Sequence, residues 1–191
     1  LSIGGMQLFK TESYETPDKV VPKAASFAAG ISIVYITLTV IWAFMLWGAG
    51  MPIFDSIAHA MTTLATGGYS TKSESLAAFN SSTIEIIIIF GMLVGSLPFV
   101  HYLALTKNGI KNLIKDDQVK LFLTLVFFVV LIMSLYLSSN NIPYLEALRL
   151  ASFNVISIIT GTGFGTSDFN NWGGFPTTIL LILMFVGGCA G

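Results

Sequence analysis

Thr66-Gly67-Gly68-Tyr69-Ser70-Thr71 and Gly161-Thr162-Gly163-Phe164-Gly165-Thr166 are two short glycine stretches in a very apolar chain, each following a half-length helical segment and preceding a long hydrophobic one. Backbone without regular hydrogen bonding is tolerated at membrane depth only where it is buried in protein or lines a watery cavity. A break of this kind that occurs twice predicts a pore lining, with the glycines as ion ligands rather than linkers.

The composition around these stretches sets the class. The chain is 54% hydrophobic and 10% charged, against roughly 25% charged in soluble domains, and its mean hydropathy is +0.80. It is an all-α integral membrane protein with lipid as its surroundings. The nine Lys and Arg are scattered without a basic face, which excludes nucleic acid. One cysteine, Cys189, allows no internal disulfide, and His59 and His101 have no zinc-site spacing. The first residues carry no initiator methionine or basic n-region and the last stop inside an apolar run, so a piece of a longer protein is expected.

Working outward, residues 1–23 read as a cytoplasmic connecting segment, polar from residue 10, with Pro17 and Pro22 interrupting any helix. Residues 24–50 carry no charge and form a first span, longer than the roughly 20 residues a bilayer requires. Trp42 and Trp47 near its end fit an interfacial belt or packing between helices. Pro52 opens a short helix at 53–65 that dips in and stops; proline suits a helix start, and Asp55 there complements the N-terminal dipole. The filter-like residues 66–70 and a polar turn lead to a second span at 83–106, kinked near Pro98. A loop at 107–118 and a third span at 119–138 follow. Then the logic repeats: Pro143, a short helix at 144–159, glycines at 161–165, a polar turn, and an apolar run from 175.

Aligning Gly68 with Gly163 puts Tyr69 over Phe164, Thr71 over Thr166 and His59 over Asn154. The two units run in the same direction. Seven of the nine basic residues, Lys10, Lys19, Lys23, Lys107, Lys111, Lys115 and Lys120, fall on one side, which the positive-inside rule makes cytoplasmic. The other side holds Asp55, Glu74, Glu85, Glu146 and Asp168 against Lys72 and Arg149. Such an outer mouth concentrates cations. Glu85 and Asp168 are its candidate charges, Glu85 standing at the start of a spanning helix where burial is costly.

A desolvated cation needs replacement oxygens, and the densest source is a run of backbone carbonyls with no side chains forcing them apart. Glycine supplies the required conformations, positive φ included. The candidate ligands are Thr66, Gly67, Gly68 and Tyr69 in the first stretch and Gly161, Thr162, Gly163 and Phe164 in the second. Each aromatic would pack behind its strand and hold its width. The C-terminal dipoles of the two short helices would favour a cation in the cavity.

These residues resemble the Trk/Ktr/HKT superfamily of potassium transporters, and within it the TrkH-type potassium-translocating subunit. The resemblance rests on Met61 to Thr71, on Ile158 to Thr166, on Gly4-Gly5-Met6-Gln7-Leu8 and on Val186 to Gly191, and covers essentially the whole chain. It implies four repeats of helix, re-entrant pore helix, filter strand and helix around one pore, of which 24–106 would be the second and 119–191 the third, truncated. It implies potassium as the ion, held at filter carbonyls with Gly68 and Gly163 central, and no organic cofactor. Gly187, Gly188 and Gly191 resemble the start of a loop that obstructs the pore beneath the filter, although Gly187 and Gly188 also suit a small-residue helix contact. A bacterial inner membrane, a homodimer and a cytoplasmic nucleotide-binding regulatory subunit are implied as well. The third repeat carries Gly161 where the family usually has threonine, so a less selective sodium or potassium transporter stands as the alternative. A structural membrane subunit would not need two such breaks. An intramembrane enzyme built on Asp55, His59 and Glu146 would lack a nucleophile and a metal set.

Overall fold

The computed structural model describes residues 17–99, 101–103 and 116–186. Its helices are α1 (Pro17–Gly48), α2 (Ile53–Leu64), α3 (Ser82–Ser96), α4 (Asp117–Ser139), α5 (Tyr144–Ile159) and α6 (Gly174–Val186), with 3₁₀ turns at Ser75–Phe79 and Phe169–Trp172. Among the described residues there is no β-strand. Long helix, short helix, non-helical glycine segment, 3₁₀ turn and apolar helix therefore occur twice in order, which is the all-helical repeated design expected.

The two short helices begin alike. Gly50 (φ 96) and Asn141 (φ 68) make left-handed turns two residues before Pro52 and Pro143. Those prolines stand at the helix N-caps with φ −54, ψ 146 and φ −53, ψ 135, and Asp55 and Glu146 lie in the first turns. Proline pre-sets the entry angle and the acid meets the positive end of the helix. α5 has 16 residues against 12 in α2. The extra turn lies at its start, because the residues nearest the glycines stay in register.

Two expectations are corrected and one open choice is decided. Pro17 and Pro22 do not interrupt the helix: α1 is helical through both from Pro17, the first described residue, while its apolar stretch begins at Ala25, and each proline removes one N–H from the ladder without ending it. The second apolar run is broken rather than kinked. α3 ends at Ser96, Leu97 is extended (φ −79, ψ 146) and the chain is helical again at 99 and 101–103, because proline drives the preceding residue out of the helical region. Trp42 belongs between helices, not to a belt: it is 8% exposed and its indole N–H donates to the Ile87 carbonyl at 3.0 Å. Trp47 is exposed.

Trp42 beside Ile87, Tyr35 beside Phe99 (ring centroids 6.4 Å) and Gly30 against Leu103 place the second apolar run antiparallel to α1. The core gathers around the short helices: Leu46, Ala60, Leu64 and Ile88 in the first unit, Met133, Ala151, Phe153 and Leu180 in the second. α1 and α4 present Ile33, Ile36, Phe44, Leu121, Phe127 and Phe128 outward. Ala25–Gly48 and Asp117–Ser139 are the two helices, among the described residues, long and apolar enough to cross a membrane. At the start of α4, Asp116 accepts from the N–H groups of Gln118 and Val119, which hold its carboxyl below the usual range.

α3 reaches the end of α2 through small residues. A Cβ on Gly95 would lie 2.7 Å from the Leu64 carbonyl oxygen, and one on Gly91 would collide with the Trp42 indole. Gly95→Val should therefore lower stability by about 1–3 kcal/mol, read as a drop in the thermal midpoint of the detergent-solubilised protein; an unchanged midpoint would refute this packing.

Candidate functional site

One residue of each short helix holds the glycine segment that follows it. The Thr62 carbonyl accepts the Gly67 N–H at 2.8 Å, and the Thr62 hydroxyl donates to the Tyr69 carbonyl at 2.9 Å. In the second unit the Ser157 carbonyl accepts the Gly163 N–H at 3.1 Å and its hydroxyl donates to the Phe164 carbonyl at 2.7 Å. The first contact falls one residue later in the second unit, and the second falls at the same place. The carbonyls of Tyr69 and Phe164 thus each accept one hydroxyl hydrogen bond, from α2 and α5 respectively, and keep a second lone pair. Sequence reading passed over Thr62 and Ser157. Their signal was a hydroxyl residue seven positions before the aromatic in both copies.

The backbone of the two segments alternates in hand. Thr66 (φ 49) and Gly68 (φ 66) match Gly161 (φ 73) and Gly163 (φ 82). A left-handed conformation costs a non-glycine residue about 1–3 kcal/mol, so Thr66 is strained where Gly161 is relaxed. Gly161 therefore has a conformational reason beyond the loss of a hydroxyl. Beside it, the buried hydroxyls of Thr160 and Thr162 lie 2.8 Å apart.

The two segments meet. A Cβ on Gly68 would overlap the carbonyl of Thr162, so only glycine allows this approach. Phe164, 3% exposed, stacks on His59 at 5.9 Å between ring centroids. The Gly165 N–H donates to the Ser75 hydroxyl at 3.3 Å, and the Gly165 carbonyl accepts from Leu76 at 3.2 Å. Tyr69, the counterpart of Phe164, is 79% exposed. The expected packing of the aromatic behind its strand thus holds for Phe164 and not for Tyr69.

Behind the segments the polar side chains are paired. His59 donates from Nδ1 to the Asp55 carbonyl at 2.8 Å, which leaves Nε2 to accept the Ser70 hydroxyl at 3.0 Å. Asn154, its match, donates to the Leu150 carbonyl and to Ser167. Asp55 accepts from Thr71 at 2.6 Å and faces Lys72 at 3.4 Å. His59 and Asp55 are braces of the segment, and the exposed Glu146 is not among their partners.

The acidic residues separate into two kinds. Glu85 is buried on α3 and pairs with Arg149 of α5 at 3.1 Å, which also donates to Ser82 at 2.7 Å. Asp55 and Glu85 thus engage both basic residues of this face, while Glu74, Glu146 and Asp168 are exposed. Asp168 accepts from the Asn171 amide at 3.2 Å. Gly187, Gly188 and Gly191, with residues 1–16 and 104–115, lie outside the described residues.

A family model for cation transport proteins, TrkH, matches residues 1–191. The chain is 35% identical over 193 residues to the Trk system potassium uptake protein TrkI of Halomonas elongata, covering 100% of this chain and 39% of that protein. It is 36% identical over 196 residues to the Trk system potassium uptake protein TrkH of Salmonella typhimurium, covering 41% of that protein. The crystal structure of the potassium transporter TrkH from Vibrio parahaemolyticus superposes with a TM-score of 0.83 at 32% identity, over 92% of this chain and 38% of that one. The chain thus spans about two fifths of the length of these relatives.

Glu85 and Arg149 join the two units, and removing one partner leaves a buried charge without compensation. Arg149→Met should cost about 3 kcal/mol of stability, and the double variant Glu85→Gln with Arg149→Met should recover part of it. Equal losses in single and double variants, measured by thermal unfolding in detergent, would show that the pair does not couple the units.

Proposed function

Because the chain belongs to the TrkH family of cation transport proteins, a family of membrane transporters and not of enzymes, we propose that it supplies two walls of the ion path in a bacterial potassium uptake protein. The observation that carries this reading is the contact of the two glycine segments through the Gly68 backbone and the Thr162 carbonyl. Two irregular segments brought side by side in a chain this apolar belong where water and ions pass.

The ion would be stripped of water and held by backbone oxygens of Thr66, Gly67 and Gly68 and of Gly161, Thr162 and Gly163. The carbonyls of Tyr69 and Phe164 accept one hydroxyl hydrogen bond each and complete the proposed ligand set through their second lone pair. α2 and α5 end at Leu64 and Ile159, next to the segments, so the negative ends of their dipoles favour a cation. Exposed Glu74, Glu146 and Asp168 would enrich cations at the outer mouth. The cytoplasmic connecting segment 1–23, the repeats at 24–106 and 119–191, the inner-membrane location, a homodimer, a cytoplasmic nucleotide-binding regulator and a gate at Gly187, Gly188 and Gly191 belong to the same proposal. Gly161 favours one second reading, a transporter that discriminates less between sodium and potassium.

In a potassium-uptake-deficient strain, the full-length protein should restore uptake, and Gly68→Asp or Gly163→Asp should abolish it. Undiminished uptake in these variants would remove the filter assignment. Nothing lies within 4 Å of a Cβ built on Gly161, and Thr66 holds the matching conformation, so Gly161→Thr should fold and raise the rubidium to sodium flux ratio. An unchanged ratio would exclude a side-chain role at that position.

A further inference from the structure

We propose that Thr62 and Ser157 are specificity-determining positioning residues, whose hydroxyls fix the aperture of the ion path without touching the ion. The proposal rests on the glycine segments being the ion path.

Two ties define each arc of backbone. In the first unit they are the Gly67 N–H and the Tyr69 carbonyl, both held by Thr62; in the second they are the Gly163 N–H and the Phe164 carbonyl, both held by Ser157. The N–H ties use a helix carbonyl and survive any side-chain change. The carbonyl ties, at 2.9 and 2.7 Å, depend on the hydroxyl alone. Between the ties lie Gly67 and Gly68 in the first unit and Gly163 in the second, none with a side chain to resist peptide rotation, and although Gly68 leans on the Thr162 carbonyl nothing lies within 4 Å of a Cβ built on Gly163, so loss of the outer tie loosens the arc. Ser157 is 1% exposed, so a water molecule has little room to substitute for its hydroxyl.

The two units also solve this problem with different residues at one position. Threonine and serine share the hydroxyl and differ in the methyl, which identifies the hydroxyl as the required group. Discrimination among alkali cations rests on how firmly the oxygens keep their spacing and number, so a loosened arc admits the smaller ion with less penalty while conduction persists.

The test compares rubidium and sodium flux through the full-length protein. Thr62→Val keeps the shape and Ser157→Ala removes one oxygen; each should lower the rubidium to sodium ratio at least threefold at normal membrane abundance. Thr62→Ser and Ser157→Thr should keep the original ratio. A ratio preserved in the hydroxyl-free variants overturns the proposal, and so does an equal fall in the hydroxyl-bearing ones. If Thr62→Val fails to accumulate, Ser157→Ala decides alone, since it adds no bulk. Should Gly68→Asp leave uptake intact, the ion-path reading itself fails; should that variant be dead while the hydroxyl-free variants discriminate normally, only the positioning role fails.

Discussion

Peptide groups that leave a helix inside an apolar environment must find partners without the help of water, and this requirement organises the molecule. The residues after α2 and α5 cannot continue a helix, because Thr66, Gly68, Gly161 and Gly163 are left-handed. The preceding helix meets the Gly67 and Gly163 N–H groups and the Tyr69 and Phe164 carbonyls through Thr62 and Ser157, and one turn back His59 and Asn154 bond to the side-chain hydroxyls of Ser70 and Ser167. A half-length helix is therefore a scaffold as much as a dipole. Its polar face carries the bonds that the glycine segment lacks.

The second constraint is the junction between the units. Gly68 lies against Thr162, Phe164 stacks on His59, Gly165 bonds to Ser75 and Leu76, and Arg149 pairs with Glu85. These contacts mix backbone approach, ring packing and charge, each confined to a few atoms. A sidewise shift of one segment would break several at once. The exposed ring of Tyr69, against the buried ring of Phe164, marks a face of the first unit that none of the described residues covers.

The copies are alike in plan and unlike in detail. Asp55 ties Thr71 in the first unit, whereas Leu150 occupies the matching place in the second, where the Thr166 hydroxyl is buried without a partner among the described residues. α5 is longer than α2, and the contact from Ser157 reaches Gly163 rather than the residue matching Gly67. Repetition thus preserves the helix, glycine and aromatic order while leaving the hydrogen bonds room to differ.

The order of spans, the half-length helices with their prolines and acids, and the paired glycines were all determined by sequence alone, because apolar run length and helix-breaking residues act locally. Membership of a cation transport family followed from the same motifs. The tertiary structure alone decided which groups orient the glycine segments. The Tyr69 and Phe164 oxygens accept hydroxyls from residues seven positions earlier, a pairing that exists only once the segment turns back on its helix. It also decided that Glu85 is a strut rather than an open charge, since its cation, Arg149, stands 64 residues distant in the chain and reaches it only when the two units pack.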